Sequence, residues 1–459
     1  MSENVLAPDE MNLDAAAQAA RLSDERPADV VELLNQHAPT FAAKVLEHFS
    51  PERAVDVLDQ SGLDNAPEII EALPRDRAVS LLTGMSGDRA ADILRQLEKS
   101  KTTDLLAQFD AETRTTLQRL LAYPEGSAGS IMTTEFVSVP STWTIAEVLH
   151  HIRMVERTRE TVYSIYVLDP LKRTLLHAVP LRRLISGDPH AKILSVAPAR
   201  RRPITVAPLA DRMDAARLIS KYDLLAVPVV DGAGRVLGIV TVDDVIDAIV
   251  QESTEDVQKF GGVAALDEPY LRIGFLQMIQ KRAGWLCVLF LSEMLTANAM
   301  QNFEAELQRA IVLTLFIPLI MSSGGNSGSQ ATSLLIRALA LRELSLRDWW
   351  RVALREVPTG AALGAILGVI GIVRIAVWQS TGLYNYGQHW VLLAVTVAAA
   401  LVGIVTFGSL AGSMLPFILQ RLGFDPASAS APFVATLVDV TGLVIYFEVA
   451  ALILTGTLL

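Results

Sequence analysis

Ala431-Pro-Phe-Val-Ala-Thr-Leu-Val-Asp-Val-Thr-Gly-Leu-Val-Ile-Tyr-Phe-Glu-Val-Ala-Ala-Leu-Ile-Leu454 is long and apolar enough to cross a bilayer, yet it carries a carboxylate, Asp439, near its middle. A charge at that depth costs roughly 2.5–3.5 kcal/mol on insertion scales, so it faces a bundle interior or a water-filled path and has a partner. Two readings satisfy this constraint: a structural Asp bonded to a neighbouring helix, or a cation site.

The rest of the chain sets the context for that acid. Of 459 residues, 51% are hydrophobic and 19% charged, and most of the charge lies before about Arg282. A soluble N-terminal half and a membrane C-terminal half follow. The formal net charge of −11 argues against nucleic acid as a partner and favours cations, which an acidic surface concentrates. Cys287 is the sole cysteine, which excludes an intrachain disulfide and a cysteine-based metal cluster. Residues 1–24 have neither a basic n-region nor an apolar h-region, so no cleaved signal is expected and the soluble half should stay in the cytoplasm. With no nucleophile–base pair, P-loop or metal-hydrolase motif, nothing points to an enzyme.

From Thr40 to Gln118 the chain repeats about every 12 residues: Glu52-Arg-Ala-Val-Asp-Val-Leu58, Asp76-Arg-Ala-Val-Ser-Leu-Leu82 and Asp88-Arg-Ala-Ala-Asp-Ile-Leu94 align. An acid opens each of these units and apolar residues recur at helical spacing, predicting a stacked series of short helices. The same spacing puts Asp56, Asp88 and Asp92 on outer faces.

Tyr123-Pro-Glu-Gly-Ser-Ala-Gly129 reads as a linker, after which strand-like runs alternate with amphipathic helices. Val236-Leu-Gly-Ile-Val-Thr-Val-Asp-Asp244 resembles the closing strand and helix of a cystathionine-beta-synthase (CBS) module, matching its Gly-apolar-apolar-Thr-x-x-Asp pattern at Gly238, Thr241 and Asp244. Residues 132–188 look like a first copy, but Gly, Thr and Asp are missing from its stretch His177-Ala-Val-Pro-Leu-Arg-Arg183. If such a module binds a nucleotide such as ATP, Thr241 and Asp244 would hold the ribose; a scaffold without nucleotide is the alternative. From Ile249 the chain is expected to run as one long helix, broken near Gly261-Gly262, to Lys281 and Arg282 at a cytoplasmic boundary.

Five hydrophobic segments follow, at about 283–300, 310–335, 357–377, 391–415 and 433–454. Basic residues in the loops after the second segment (Arg337, Arg342, Arg347, Arg351, Arg355) and the fourth (Arg421) put the N-terminus inside and the C-terminus outside. Arg374 runs against that asymmetry and reads as a side chain snorkelling to the interface. Met321-Ser-Ser-Gly-Gly-Asn-Ser-Gly-Ser-Gln330 interrupts the second segment, as irregular backbone lining a cavity or as a small-residue packing face.

Pro318-Leu-Ile320, Gly324-Gly-Asn-Ser-Gly-Ser-Gln330, Arg337-Ala-Leu-Ala340, Asp425-Pro-Ala427 and Thr436-Leu-Val-Asp-Val-Thr-Gly442 together make the whole chain resemble the MgtE family of magnesium channels and transporters. That resemblance implies a multidomain fold: an α-helical superhelical N domain (1–128), an α/β CBS-domain pair (129–250), a connecting plug helix (251–282) and an all-α transmembrane domain with five helices (283–459). It further implies a homodimer in the plasma (inner) membrane, with Mg2+ as substrate and regulatory ligand. Asp439 is similar to the family's pore acid, Ala435 to a position whose carbonyl faces the same ion, and Asn326 and Glu356 to pore-lining positions. Asp88, Asp92, Asp223, Asp244, Asp247, Glu255 and Asp256 resemble the family's regulatory acids. Wider passage of Co2+, Mn2+ or Ni2+, and a non-transporting membrane-bound cation or nucleotide sensor, are the competing readings.

Overall fold

The computed structural model describes residues 8–198, 202–266, 270–271 and 273–458, and divides into two compact units, Met1–Gln251 and Glu252–Leu459. Arg200 and Arg201 of the basic run before Pro203, and Arg272, lie outside the described residues.

Among the described residues the first unit opens with nine helices: α1 (Pro8–Leu22), α2 (Pro27–Leu34), α3 (Pro39–His48), α4 (Pro51–Leu58), α5 (Ala66–Ala72), α6 (Arg75–Gly84), α7 (Gly87–Gln96), α8 (Lys99–Leu106) and α9 (Ala111–Leu121). Proline opens α2, α3 and α4, where its missing N–H costs nothing. Ser50 and Asp110 cap α4 and α9 through side-chain oxygens that accept from backbone N–H groups. Helices two apart in sequence pack together, and their aliphatic residues belong to one core that continues into residues 128–245. The repeated arginine has a structural reason. Arg53 donates to the Leu22 carbonyl (3.2 Å), Arg77 to Phe49 (2.8 Å) and Arg89 to Gln60 (3.1 Å). Each thereby satisfies orphan carbonyls at the end of the helix three places earlier.

The α/β part follows. In its first copy β1 (Phe136–Pro140), β2 (Thr161–Leu168) and β3 (Leu175–Pro180) form a sheet in that order, β1 parallel to β2 and β3 antiparallel to it, with α10 (Ile145–Val155) and α11 (Leu181–Ile185). The second copy has α12 (Arg212–Tyr222), β4 (Ala226–Val230) and β5 (Val236–Thr241), the two strands antiparallel, with Val206 bridging to Val229 in parallel. Thr133 and Ile239 exchange both backbone hydrogen bonds at 2.9 Å, so the chain entering the first copy pairs with the second. This pairing gives Gly238 its purpose: a Cβ there would lie 2.5 Å from the Thr133 carbonyl oxygen.

Helix α13 runs Val242–Phe260, starting seven residues before the expected Ile249 and stopping at Gly261-Gly262, where Gly262 has φ +73°. The next helix, α14, is Phe275–Asn302. Lys281 and Arg282 are in the second turn of that helix.

The second unit continues with α15 (Glu304–Arg309), α16 (Ile317–Ala340), α17 (Trp349–Thr381), α18 (Trp390–Arg421) and α19 (Ala431–Leu454). Among the described residues five helical stretches are long and apolar enough to cross a membrane, in the five expected places. Glycine contacts fix their relative directions. Cβ atoms on Gly360, Gly364 and Gly368 would meet Thr406, Val402 and Ala398, so α17 and α18 are antiparallel; Gly324 and Gly328 face Gly408 and Gly412, so α16 and α18 are parallel. Gly324 against Val438 and Gly328 against Val434 make α16 and α19 antiparallel. These directions are those of consecutive spans that alternate across a bilayer.

The glycine-rich stretch of the second span corrects one expectation. No break occurs there: α16 is continuous through 321–330, and the irregular backbone lies just before it, in a 3-10 turn at Ile311–Phe316. The glycines bring helix backbones together, since a Cβ on Gly408 or Gly412 would lie 2.4 or 2.2 Å from the carbonyl oxygen of Gly324 or Gly328. The hydroxyls serve the same contact, Ser327 bonding Ser409 at 2.7 Å and Thr332 donating to Gly412 at 2.8 Å. The guanidinium of Arg374 is 4.2 Å from the Trp378 ring centroid and 5.8 Å from that of Phe316.

Candidate cation pathway and acidic cluster

Two packed helices assemble the candidate membrane site. On α16, Gly324 and Gly325 let α19 approach, so Val438 lies against the first and Ala435 3.4 Å from where a Cβ on the second would be. Asn326 follows at once, exposed, with a long 3.4 Å bond to Ser322. Asp439, one turn beyond Ala435, is half-buried. Asn326, Ala435 and Asp439 are thus on adjoining stretches of two helices, and their donors are oxygens, which suit a hard cation. Glu356 is elsewhere, half-buried on α17, whose principal packing partner is α18. Two membrane-span acids had the same sequence signal as Asp439 and were missed: Glu293 in the middle of α14 and Glu448 on α19, both exposed.

A second concentration of acid lies within the first unit. Asp88, expected on an outer face, is instead turned inward beside Asp244, Glu160 and Asp59; one of its carboxylate oxygens is buried with no hydrogen-bond partner. Helical spacing located its own helix face correctly but could not see which surface covers it. Burial, and then the charges of Asp244 and Glu160, push the Asp88 carboxyl well above the usual carboxylate range. Asp244 is pushed up to about 6 by burial and by Asp243 and Asp247, against a hydrogen bond it accepts from Thr241. Glu160 is pushed up to about 7 by burial and by Asp59, Asp244 and Glu135. Burial also raises Asp59, Glu135 and Asp92, the last opposed by Arg95 at 2.6 Å. Asp56 is exposed as expected, and Asp247 is exposed too. Asp223 is the left-handed C-cap of α12 (φ 52°), a position that favours Asp for backbone reasons. The Thr241 hydroxyl is committed to Asp244, so a ribose would have to displace that bond.

At the end of α13, Lys259 bridges Asp425 (2.9 Å) and Glu255 (3.5 Å). Asp256 beside them is pushed up to about 6 by burial and by the charges of Asp425 and Glu252. Among the described residues no three His, Cys, Asp or Glu side chains stand close enough to cage a bare metal ion.

Family models match this chain as an MgtE divalent cation transporter over residues 317–449, as an MgtE intracellular N domain over 25–126 and as a CBS domain over 195–251. "Magnesium transporter MgtE" of Thermus thermophilus is 41% identical over 342 residues, covering 74% of this chain and 73% of that protein. The chain belongs to the MgtE family. It is accordingly a multi-pass membrane transporter and not an enzyme. "Magnesium transporter MgtE" of Enterococcus faecalis is 36% identical over 342 residues, covering 74% of this chain and 72% of that protein. Among solved structures, the cytosolic domain of the Mg2+ channel MgtE in complex with ATP is 33% identical, with a TM-score of 0.47, over 50% of this chain and 93% of that one. The CBS match begins at residue 195, over the copy that carries Gly238, Thr241 and Asp244; the MgtE match runs from α16 into α19, the helices that carry Asn326, Ala435 and Asp439.

Proposed function

We propose that this protein carries Mg2+ across the plasma membrane through a path at Asp439, as a homodimer closed by cytoplasmic Mg2+. The observation that carries the reading is Asp439 itself: a half-buried carboxylate at mid-span, one turn beyond Ala435, on a helix drawn against α16 by glycine. Relatives named as magnesium transporters support the choice of ion. Mg2+ gives up its waters reluctantly, so carboxylates and carbonyls that touch its hydration shell suit it better than a dry cage. A second copy would supply a second Asp439 and cover the exposed apolar surface of α14.

Regulation rests on the cluster of Asp88, Asp244, Glu160 and Asp59. Ionised together in the absence of metal, these acids repel each other; bound Mg2+ would neutralise them and favour the closed cytosolic arrangement. The buried Asp88 oxygen without a protein partner is the kind of atom a hydrated ion would satisfy. Glu255, Asp256 and Asp425 would extend the response along α13, with Lys259 already present as a tethered cation. ATP at Thr241 and Asp244 would compete with this arrangement, because both groups are engaged.

The test is Mg2+ influx into vesicles containing the full chain. Asp439→Ala should abolish influx while the protein still assembles in the membrane; normal influx would sink the pore assignment. Vesicles in which the unaltered protein passes no ion would favour a sensor.

A further inference from the structure

The exposed acid of α14 has a definite place. Helices α14 and α19 lie side by side and are pinned at two levels. Near their starts, Trp285 donates from Nε1 to Ser430 Oγ at 2.9 Å, and its ring is 5.9 Å from Phe433. Near the other end, Phe303 stacks on Phe447 at 4.8 Å and 15°. The helices therefore run in the same direction. Glu293 stands eight residues past Trp285 in an interval of eighteen, and Asp439 six past Phe433 in an interval of fourteen: a little under halfway in both. The two carboxylates are therefore level along the helix pair.

Thr296, one turn further on the same face as Glu293, gives an independent sign. It is only 7% exposed, yet its hydroxyl has no hydrogen-bond partner. Helical threonines elsewhere in these spans, such as Thr332, Thr396, Thr406 and Thr436, donate to the carbonyl four residues back. Glu448, by contrast, follows Asp439 by nine residues, half a turn out of phase, and belongs to the opposite side of α19.

We infer that Glu293 is a second pore carboxylate, which with Asp439 forms a site of two acids per subunit holding a divalent cation through its water shell. The Thr296 hydroxyl is then a donor or acceptor for that shell. This deepens the function proposed above and rests on it. Two level carboxylates repel when empty and are matched by a divalent ion, which gains twice the attraction of a monovalent one. Glu293 thus sharpens selection by valence.

The experiment uses the full chain in vesicles loaded with a Mg2+ indicator, comparing unaltered protein, Glu293→Gln, Glu293→Asp and Asp439→Ala. One carboxylate about 6 Å from a divalent ion, at the dielectric of water, is worth about tenfold in binding. Glu293→Gln should raise the half-saturating Mg2+ concentration about tenfold or more and weaken discrimination against K+, and Glu293→Asp should largely restore both. Unchanged saturation and discrimination in Glu293→Gln, beside loss of influx in Asp439→Ala, overturns the Glu293 assignment alone. Influx retained in Asp439→Ala overturns the parent reading. Should Glu293→Gln fail to reach the membrane, Glu293→Ser is read in its place with the same tenfold rise expected; unchanged saturation and discrimination in that variant overturn the proposal.

Discussion

Replacing Asp244 by Asn tests the acidic cluster most directly. Its carboxyl, raised from 3.8 to about 6, costs roughly 3 kcal/mol to keep ionised in the folded cluster at pH 8. That is a factor of about a hundred in the ratio of closed to loosened forms. The amide oxygen of Asn can still accept from Thr241, so the local hydrogen bond survives while the charge is removed. Metal-free Asp244→Asn should accordingly resist limited proteolysis between α9 and β1 about as well as Mg2+-loaded unaltered protein does. The Mg2+ dependence of that protection should shrink by an order of magnitude or more. The assay is a Mg2+ titration of protease protection on the full chain in detergent at pH 8. If the variant shows the same metal-free cleavage and the same Mg2+ midpoint as the unaltered protein, the cluster is not the sensor.

Further outcomes follow from the same geometry. Because Asp244 and Glu160 are raised to about 6 and about 7, their penalty is absent below about pH 4 and complete above about pH 7; metal-free protein should gain protection as pH falls from 8 to 6, and Mg2+ should add less at pH 6, by the same protease assay. Gly412→Val should push α16 from α18 against a backbone carbonyl, costing roughly 1–3 kcal/mol and lowering the thermal midpoint in detergent, whereas Gly284→Ala, which meets no atom within 4 Å, should not. Lys259→Gln leaves Asp425, Glu255 and Asp256 without their ammonium, so more internal Mg2+ should be needed to halve influx into vesicles.

Where sequence reading succeeded, local physics was sufficient. The 12-residue repeat made short helices because each unit carries its own start signal and apolar stripe. The five spans were visible because length and hydropathy are sums over contiguous residues. Where it failed, the deciding partner was remote in sequence. Asp88 looks like a solvated residue on its own helix, and only the tertiary fold buries one of its carboxylate oxygens and brings the charges of Asp244 and Glu160 near it. The glycines and hydroxyls of α16 fit a pore lining and a packing face equally well until Gly408, Gly412 and Ser409 are opposite them.

Asp439 and Glu293 divide the two kinds of knowledge most sharply. An acid in the middle of an apolar run is a local anomaly, legible at once for Asp439, to which the family resemblance also points, whereas Glu293 carries the same signal without that pointer. That the two are level, on parallel helices pinned by Trp285–Phe433 and Phe303–Phe447, depends on contacts between residues about 150 positions apart, which no local spacing encodes; the tertiary structure alone decided it.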